Sequence, residues 1–501
     1  MTRERKRSNA DQVRATTFND LTGYDQGGSI TEVETTLKKG RLNTYDVTLA
    51  AFAFNAPGYI AASAIPLIYG VVGHAAPLSI LIAFLFPMCV LAFCLIRLVR
   101  AAPSAGGVFT FTERFVHPGA ATILGWTYTV MAATTAPLTA VIGAQYIQAL
   151  FPSLAGDYQA RITGTVMLVV FSVISNFGVE LTAKIAGVLL AFEIFVVAGL
   201  GLCGLIAPQV HDIPVLSLYS IGAAGDLMAV GQGILFGVFM LANFDSAINF
   251  IEESKVPVRT VQRSLVLVLC LALVVYSLAA IGWQFAVPIP ELIKASATPG
   301  DSPIASVAAV YLPHSLTWIA SLVVVTSSFA GMQASLNSGA RTLYRMGEEG
   351  HLPAKVCRVN RHQAPSNAIF GLAFAGVIAV WLRPIANLVW YIDTFTITLV
   401  LSYVAMLAAY IRLVWSKHLR LTASALSLLP TLALVMLAYV AYSAGISSSD
   451  PSAKYNAWYI GTAVLLSGWL LVFLNRRRRK AHQSDHDTRI NEGRAGGPTA
   501  D

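Results

Sequence analysis

Apolar residues in this chain run in long blocks separated by short polar loops, with neither the period of two of a half-buried strand nor the single stripe of a soluble amphipathic helix. Twelve blocks stand out, approximately 46–69, 75–99, 118–150, 162–178, 184–207, 227–251, 264–287, 303–337, 366–383, 386–413, 425–444 and 456–474. A run of about 20 apolar residues crosses a bilayer as a helix. The predicted fold class is therefore an all-α polytopic membrane protein of 12 transmembrane helices, residues 46–474, between polar tails at 1–45 and 475–501.

Two blocks break the apolar rule in their middle. The sixth, in GDLMAVGQGILFGVFMLANFDSAINFIEESKVPVR, carries Asn243, Asp245 and Asn249 beside Phe244. A carboxylate at that depth costs about 2.5–3.5 kcal/mol on insertion scales and does not belong against lipid. It predicts a helix broken near Ala242–Asp245, its freed backbone facing a wet cavity or a ligand; the other reading is an intact helix with Asp245 capped by a neighbour. The first block, AFAFNAPGYIAASAIPLIYG, holds Pro57 and Gly58, then small residues Ala61, Ala62 and Ser63. Proline cannot donate a backbone hydrogen bond and clashes with the preceding turn, so this helix is expected to open there, or simply to kink. An opened outer half-helix would present amides and a partial positive charge of about half a unit, an end suited to a carboxylate. The two interruptions lie five spans apart. If spans 1–5 and 6–10 are repeats, the odd number of crossings inverts one against the other, and matched broken helices point to a secondary transporter's binding site.

Other polar residues inside apolar blocks add candidates. Glu193 sits mid-way along span 5, where a carboxyl group is a candidate for proton exchange or for a structural partnership. Span 3 carries Tyr128 among Gly125, Trp126, Thr134, Thr135, Pro137 and Gln145, hydroxyls that serve helix packing or a substrate. Span 8, read as one tilted helix of about 35 residues, holds Ser327 and Ser328. These are a candidate Na⁺ site with the carbonyls of a broken span, or bond back to their own helix. Gly350 and Pro353 are placed to end a helix after it. In span 10, Trp390 and Tyr391 read as an interfacial belt with Asp393 slightly deeper. Lys184 is expected to snorkel. Spans 11 and 12 carry few polar residues and read as peripheral.

Composition agrees: 55% hydrophobic and 12% charged, against about 25% charged for soluble domains. The net charge of +8 does not imply nucleic acid, because its distribution follows the membrane. With the N-terminus placed in the cytoplasm, all but Arg161, Lys294, Arg383 and Lys454 of the 34 Lys and Arg residues fall on the cytoplasmic side, which puts both termini inside at the cell membrane. The run Arg476–Lys480 reads as an anchor to anionic lipid. The charged opening MTRERKRSNADQVR shows no cleavable signal peptide, and Thr31–Arg41 is expected to form a short surface helix. Five scattered cysteines and nine histidines give no disulfide framework, no metal set and no cofactor motif.

Three segments carry a family resemblance. They are Asn243–Arg259 (NFDSAINFIEESKVPVR), Asn337–Pro365 (NSGARTLYRMGEEGHLP, then VNRHQAP) and the segment from Pro103 to Trp126 (PSAGGVFTFTERFVHPGAATILGW). Together they resemble the amino acid–polyamine–organocation permease superfamily over nearly the whole membrane length. The resemblance implies the LeuT-like 5+5 inverted repeat, with substrate between spans 1 and 6 and beside 3, 8 and 10, plus two peripheral helices. It implies that backbone around Pro57–Ser63 takes an amino acid's carboxylate and that around Ala242, Asn243 and Phe244 its ammonium. Phe239 matches an aromatic lid, Asp245 an acidic position linked to substrate or proton coupling, and Glu193 a position where some relatives carry lysine. Small residues replace the family's span 1 glycines, and Asn243 stands where glycine is usual.

The function expected is proton-coupled amino acid uptake by alternating access, with Glu193 or Asp245 exchanging the proton. The alternative is an amine or polyamine carrier or an exchanger, motivated by two midplane carboxylates without a basic partner near the site. A channel would need rings of pore charges or a carbonyl filter. A membrane enzyme would need a nucleophile or metal constellation, and neither pattern is present. A non-transporting sensor is the remaining class.

Overall fold

The computed structural model describes residues 42–177, 179–224, 227–298, 301–362, 364–382, 388–417, 420–446 and 458–475. The expected surface helix Thr31–Arg41 and the run Arg476–Lys480 lie outside the described residues, as do the side chains of Lys184 and Asp393.

The protein is a polytopic helical membrane protein. Among the described residues the β-structure is one isolated bridge, Leu42 to Ser254. In chain order the main helices are α1 (Thr44–Asn55), α2 (Pro57–Val72), α3 (Ala76–Ala83), α4 (Cys89–Ala101), α5 (Gly107–Phe115), α6 (Pro118–Leu150), α7 (Asp157–Ser175), α8 (Val179–Ile206) and α9 (Leu227–Met240). They continue as α10 (Pro257–Ala286), α11 (Ile289–Ala297), α12 (Pro303–Tyr311), α13 (Trp318–Glu348), α14 (Ser366–Leu382), α15 (Leu388–Lys417), α16 (Arg420–Ile446) and α17 (Trp458–Asn475). Ten helical stretches among the described residues are long and apolar enough to cross a membrane, taking Pro57–Ala101 as one, and α14 is a shorter apolar helix. The kink between α3 and α4 follows from Pro87, next to Phe86 with φ −159°.

Both expected interruptions are present. The first helix stops at Asn55, Ala56 adopts φ 49°, and α2 restarts with Pro57 at its first position. The sixth stops at Met240, Asn243 adopts φ 64°, and the chain continues as a tighter 3-10 segment, Phe244–Phe250. Ala56 and Asn243 are the non-glycine residues with positive φ among the described residues, one in each break. A left-handed L-residue costs about 1–2 kcal/mol, and asparagine tolerates it better than alanine because its side chain bonds locally. Each half of one broken helix packs on a half of the other: α1 on Phe244–Phe250, α2 on α9.

One expected span is corrected. Residues 303–337 are not a single tilted helix: α12 ends at Tyr311, and the membrane-length helix is Trp318–Glu348. Pro313 lacks an N–H and cannot continue a helix begun at Pro303. The end is as expected, with Gly350 at φ 72° after α13 and Pro353 just beyond. The long helices α6 and α13 pack along each other, and α15 lies against α6. Of the apolar windows of α16 and α17, 33% and 22% are buried, against 33% for α7.

Candidate functional site

The first turn of a helix leaves four backbone donors to be satisfied, and at α2 each can be traced. Pro57 has no N–H. Gly58 N–H donates to Glu193 Oε2 at 3.2 Å, Tyr59 N–H to Ser327 Oγ at 3.0 Å, and the N-cap Ala56 N–H back to the Phe52 carbonyl at 3.2 Å. A carboxylate here meets the positive end of the helix dipole. Glu193 is 1% exposed, so the protein's own side chain occupies the end that the sequence assigned to a substrate carboxylate. The fit is close: a Cβ on Gly58 would lie 2.9 Å from Ser327 Cβ.

The second break is tied to the first by a residue the sequence analysis did not single out. Asn55, fully buried, donates from Nδ2 to the carbonyl oxygens of Met240 (3.0 Å) and Ala242 (2.7 Å), and its Oδ1 accepts the Tyr276 hydroxyl. Those two carbonyls are set free because the chain turns at Leu241–Asn243. The only sequence signal was an amide in an apolar run directly before Ala56–Pro57.

Asp245, one residue into the 3-10 segment, is 5% exposed and accepts the Tyr403 hydroxyl at 3.1 Å. It borders a small pocket with Tyr128, Asn249, Thr342 and the glycine pair Gly106–Gly107. Tyr128 Oη lies 3.0 Å from Ser338 Oγ, which also accepts Asn249 Nδ2 at 3.1 Å. Around the cavity are hydroxyls, amides and one carboxylate; none of the lining residues is basic.

The other candidates are distributed around these two centres. Phe239 is buried edge-on against Phe395, with ring centroids 5.3 Å apart. Phe244 packs near Tyr403 at 6.4 Å. Ala61 and Ala62 are buried along α2, while Ser63 turns its hydroxyl back to the Tyr59 carbonyl at 2.8 Å. Ser328 likewise bonds back to the Val324 carbonyl at 2.8 Å, so of the two span 8 serines Ser327 faces the break.

The model of the amino acid permease family matches residues 47–469. The chain belongs to that family. Among curated proteins it is 25% identical over 304 residues to human (Homo sapiens) solute carrier family 7 member 13, covering 60% of this chain and 63% of that protein. It is 24% identical over 341 residues to the cationic amino acid transporter 3, mitochondrial, of Arabidopsis thaliana, covering 63% and 53%. It is 22% identical over 299 residues to the human Asc-type amino acid transporter 1, covering 58% and 55%. The match thus spans less than two thirds of each of these relatives.

The three segments that carried the resemblance meet in space. Arg341 pairs with Glu253 at 2.7 Å and donates to the Asn249 carbonyl at 2.8 Å; Arg345 pairs with Glu252 at 2.5 Å and Glu348 at 3.0 Å. Glu252 also accepts the Ala105 N–H at 3.3 Å. His351, buried, lies 2.9 Å from Glu113 and 2.6 Å from Thr122 Oγ1. Leu42 joins from the start of the first helix, exchanging backbone bonds with Glu253 and Lys255. The permease motifs therefore form one polar cluster next to Asn249 of the Asp245 pocket.

Proposed function

We propose that this chain is a secondary transporter that carries a small amino-bearing solute across the cell membrane by alternating access. The reading takes the helices as twelve spans in two inverted sets of five plus two peripheral ones, with both termini on the cytoplasmic side as the lysine and arginine distribution favours. The observation that carries it is the pair of matched breaks, each centred on a left-handed residue and joined by Asn55. Two rigid helices with facing interruptions are a hinge around a central site. The family and the names of the relatives support an amino acid as solute, with an amine as the alternative.

Coupling is assigned to the proton. Glu193 is the group suited to it, because it holds the first turn of α2 and its charge state sets the strength of that hold. The test is uptake into proteoliposomes under an imposed pH gradient. Wild type is expected to concentrate solute, and Glu193→Gln to exchange it without concentrating it. Concentration by Glu193→Gln on the same gradient overturns the proton assignment.

A further inference from the structure

Four basic residues sit close together on the loop between α13 and α14, and their surroundings differ from those of the arginines just before them. Arg341 and Arg345, near the end of α13, are each paired with a glutamate. Lys355, Arg358, Arg361 and His362 are exposed, and among the described residues none of them pairs with a carboxylate. The loop is held in place without them. Asn360 accepts the backbone N–H groups of His362 at 2.8 Å and Ala364 at 3.1 Å through Oδ1, and donates from Nδ2 to the Asn176 carbonyl at 2.9 Å. Asn367 donates to the Lys355 carbonyl at 2.8 Å. Positive charges gathered on an anchored loop repel one another unless an anion lies against them.

Arg361 has a fixed direction as well. Its Nε donates to His362 Nε2 at 3.1 Å, so that ring nitrogen carries no proton, and the imidazole lies against the Phe177 ring with centroids 5.7 Å apart. The two terminal nitrogens of the guanidinium are left for an oxyanion, which they can grip as a fork. Apolar surface frames the same patch: Phe177, just past the end of α7, is 56% exposed, and Val359 is 41% exposed. A soluble anion gains nothing from such surface, whereas a lipid brings acyl chain beside its phosphate. The loop lies on the side that the lysine and arginine distribution assigns to the cytoplasm, where the leaflet is anionic.

We infer that residues 355–362, with Phe177, bind the headgroup of an anionic phospholipid of the cytoplasmic leaflet. Arg361 grips the phosphate, and Lys355 and Arg358 add positive charge around it. The inference goes beyond the transporter reading and borrows only its orientation in the membrane.

The test is native mass spectrometry of the purified full-length protein in neutral detergent, titrated with phosphatidylglycerol or with phosphatidylcholine of the same acyl chains. Wild type is expected to retain one phosphatidylglycerol about tenfold more tightly than phosphatidylcholine. Arg361→Gln and the double variant Lys355→Gln/Arg358→Gln are each expected to cut that preference to about twofold or less. Arg361→Lys, which keeps the charge but not the fork, is expected to fall between. Lys294→Gln, at an exposed cation outside the loop, is expected to leave the preference unchanged. Equal retention of the two lipids by wild type, or a preference that survives in both loop variants, overturns the inference. So does displacement of the lipid by inorganic phosphate in the same concentration range, which would make this a site for a soluble anion. Binding is read without transport, so failure here leaves the transporter reading intact.

Discussion

The carboxamide of Asn55 donates to the carbonyl of Ala242 across 2.7 Å, joining two helix breaks 187 residues apart in sequence. A buried acceptor left without a partner costs about 1–3 kcal/mol. Asn55→Leu removes the donor to two carbonyls and the acceptor of Tyr276. It is expected to lower the thermal unfolding midpoint in detergent markedly and to abolish transport. Tyr276→Phe, which leaves one acceptor, Asn55 Oδ1, without its donor, is expected to cost less than Asn55→Leu, about 1–3 kcal/mol. Equal stability of Asn55→Leu and wild type contradicts the clamp.

Much of this geometry was legible in the sequence, for identifiable reasons. Pro57 and the run Asn243–Asp245 disturb otherwise apolar blocks, and a bilayer punishes such disturbances, so both breaks could be placed within a few residues. The split at Pro313 was hidden because long apolar runs lie on either side of the short stretch Pro313–Thr317, and hydropathy averages over it. Asn55, Tyr276 and Tyr403 were not legible as a site. Their roles arise from partners more than 150 residues away, and a single sequence carries no distance. The occupation of the α2 amides by Glu193 was invisible for the same reason.

Helix α8 approaches α10 so closely that a Cβ on Gly282 would lie 1.8 Å from the Gly201 carbonyl oxygen. Small residues permit this kind of contact between membrane helices. Gly282→Leu is expected to prevent accumulation of monodisperse protein, read by fluorescence-detected size exclusion. Gly199, with open space at its Cβ position, is the control. Gly199→Ala is expected to be neutral or to stabilise by up to about 1 kcal/mol, since glycine is the weaker helix former.

The polar cluster of Arg341, Arg345, Glu252 and Glu253 rests on paired charges. Arg341 and Glu253 are largely shielded from solvent, with 15% of each side chain exposed. Removing one partner of such a pair costs about 3–5 kcal/mol because the other charge stays buried. Arg341→Ala is therefore expected to destabilise more than the double variant Arg341→Ala/Glu253→Gln. A double-mutant cycle on thermal stability in detergent measures the coupling, and strict additivity contradicts it.

Tyr403 and Tyr128 separate two roles around the cavity. Tyr403→Phe removes the donor that orients Asp245 and is expected to weaken solute binding by about tenfold, close to one charge-assisted hydrogen bond. Tyr128→Phe breaks the contact to Ser338 but not to Asp245, and is expected to weaken binding less. Titration of radiolabelled solute against both variants checks the order; Tyr128→Phe as the weaker binder reverses it.

Counterflow in proteoliposomes addresses the carrier claim itself. Vesicles loaded with unlabelled amines and amino acids are diluted into a trace of labelled solute, and its entry is followed. The account predicts a saturable transient overshoot in wild type that Asp245→Asn abolishes. Entry no faster than in protein-free vesicles, or rising linearly with solute without saturation, would contradict it.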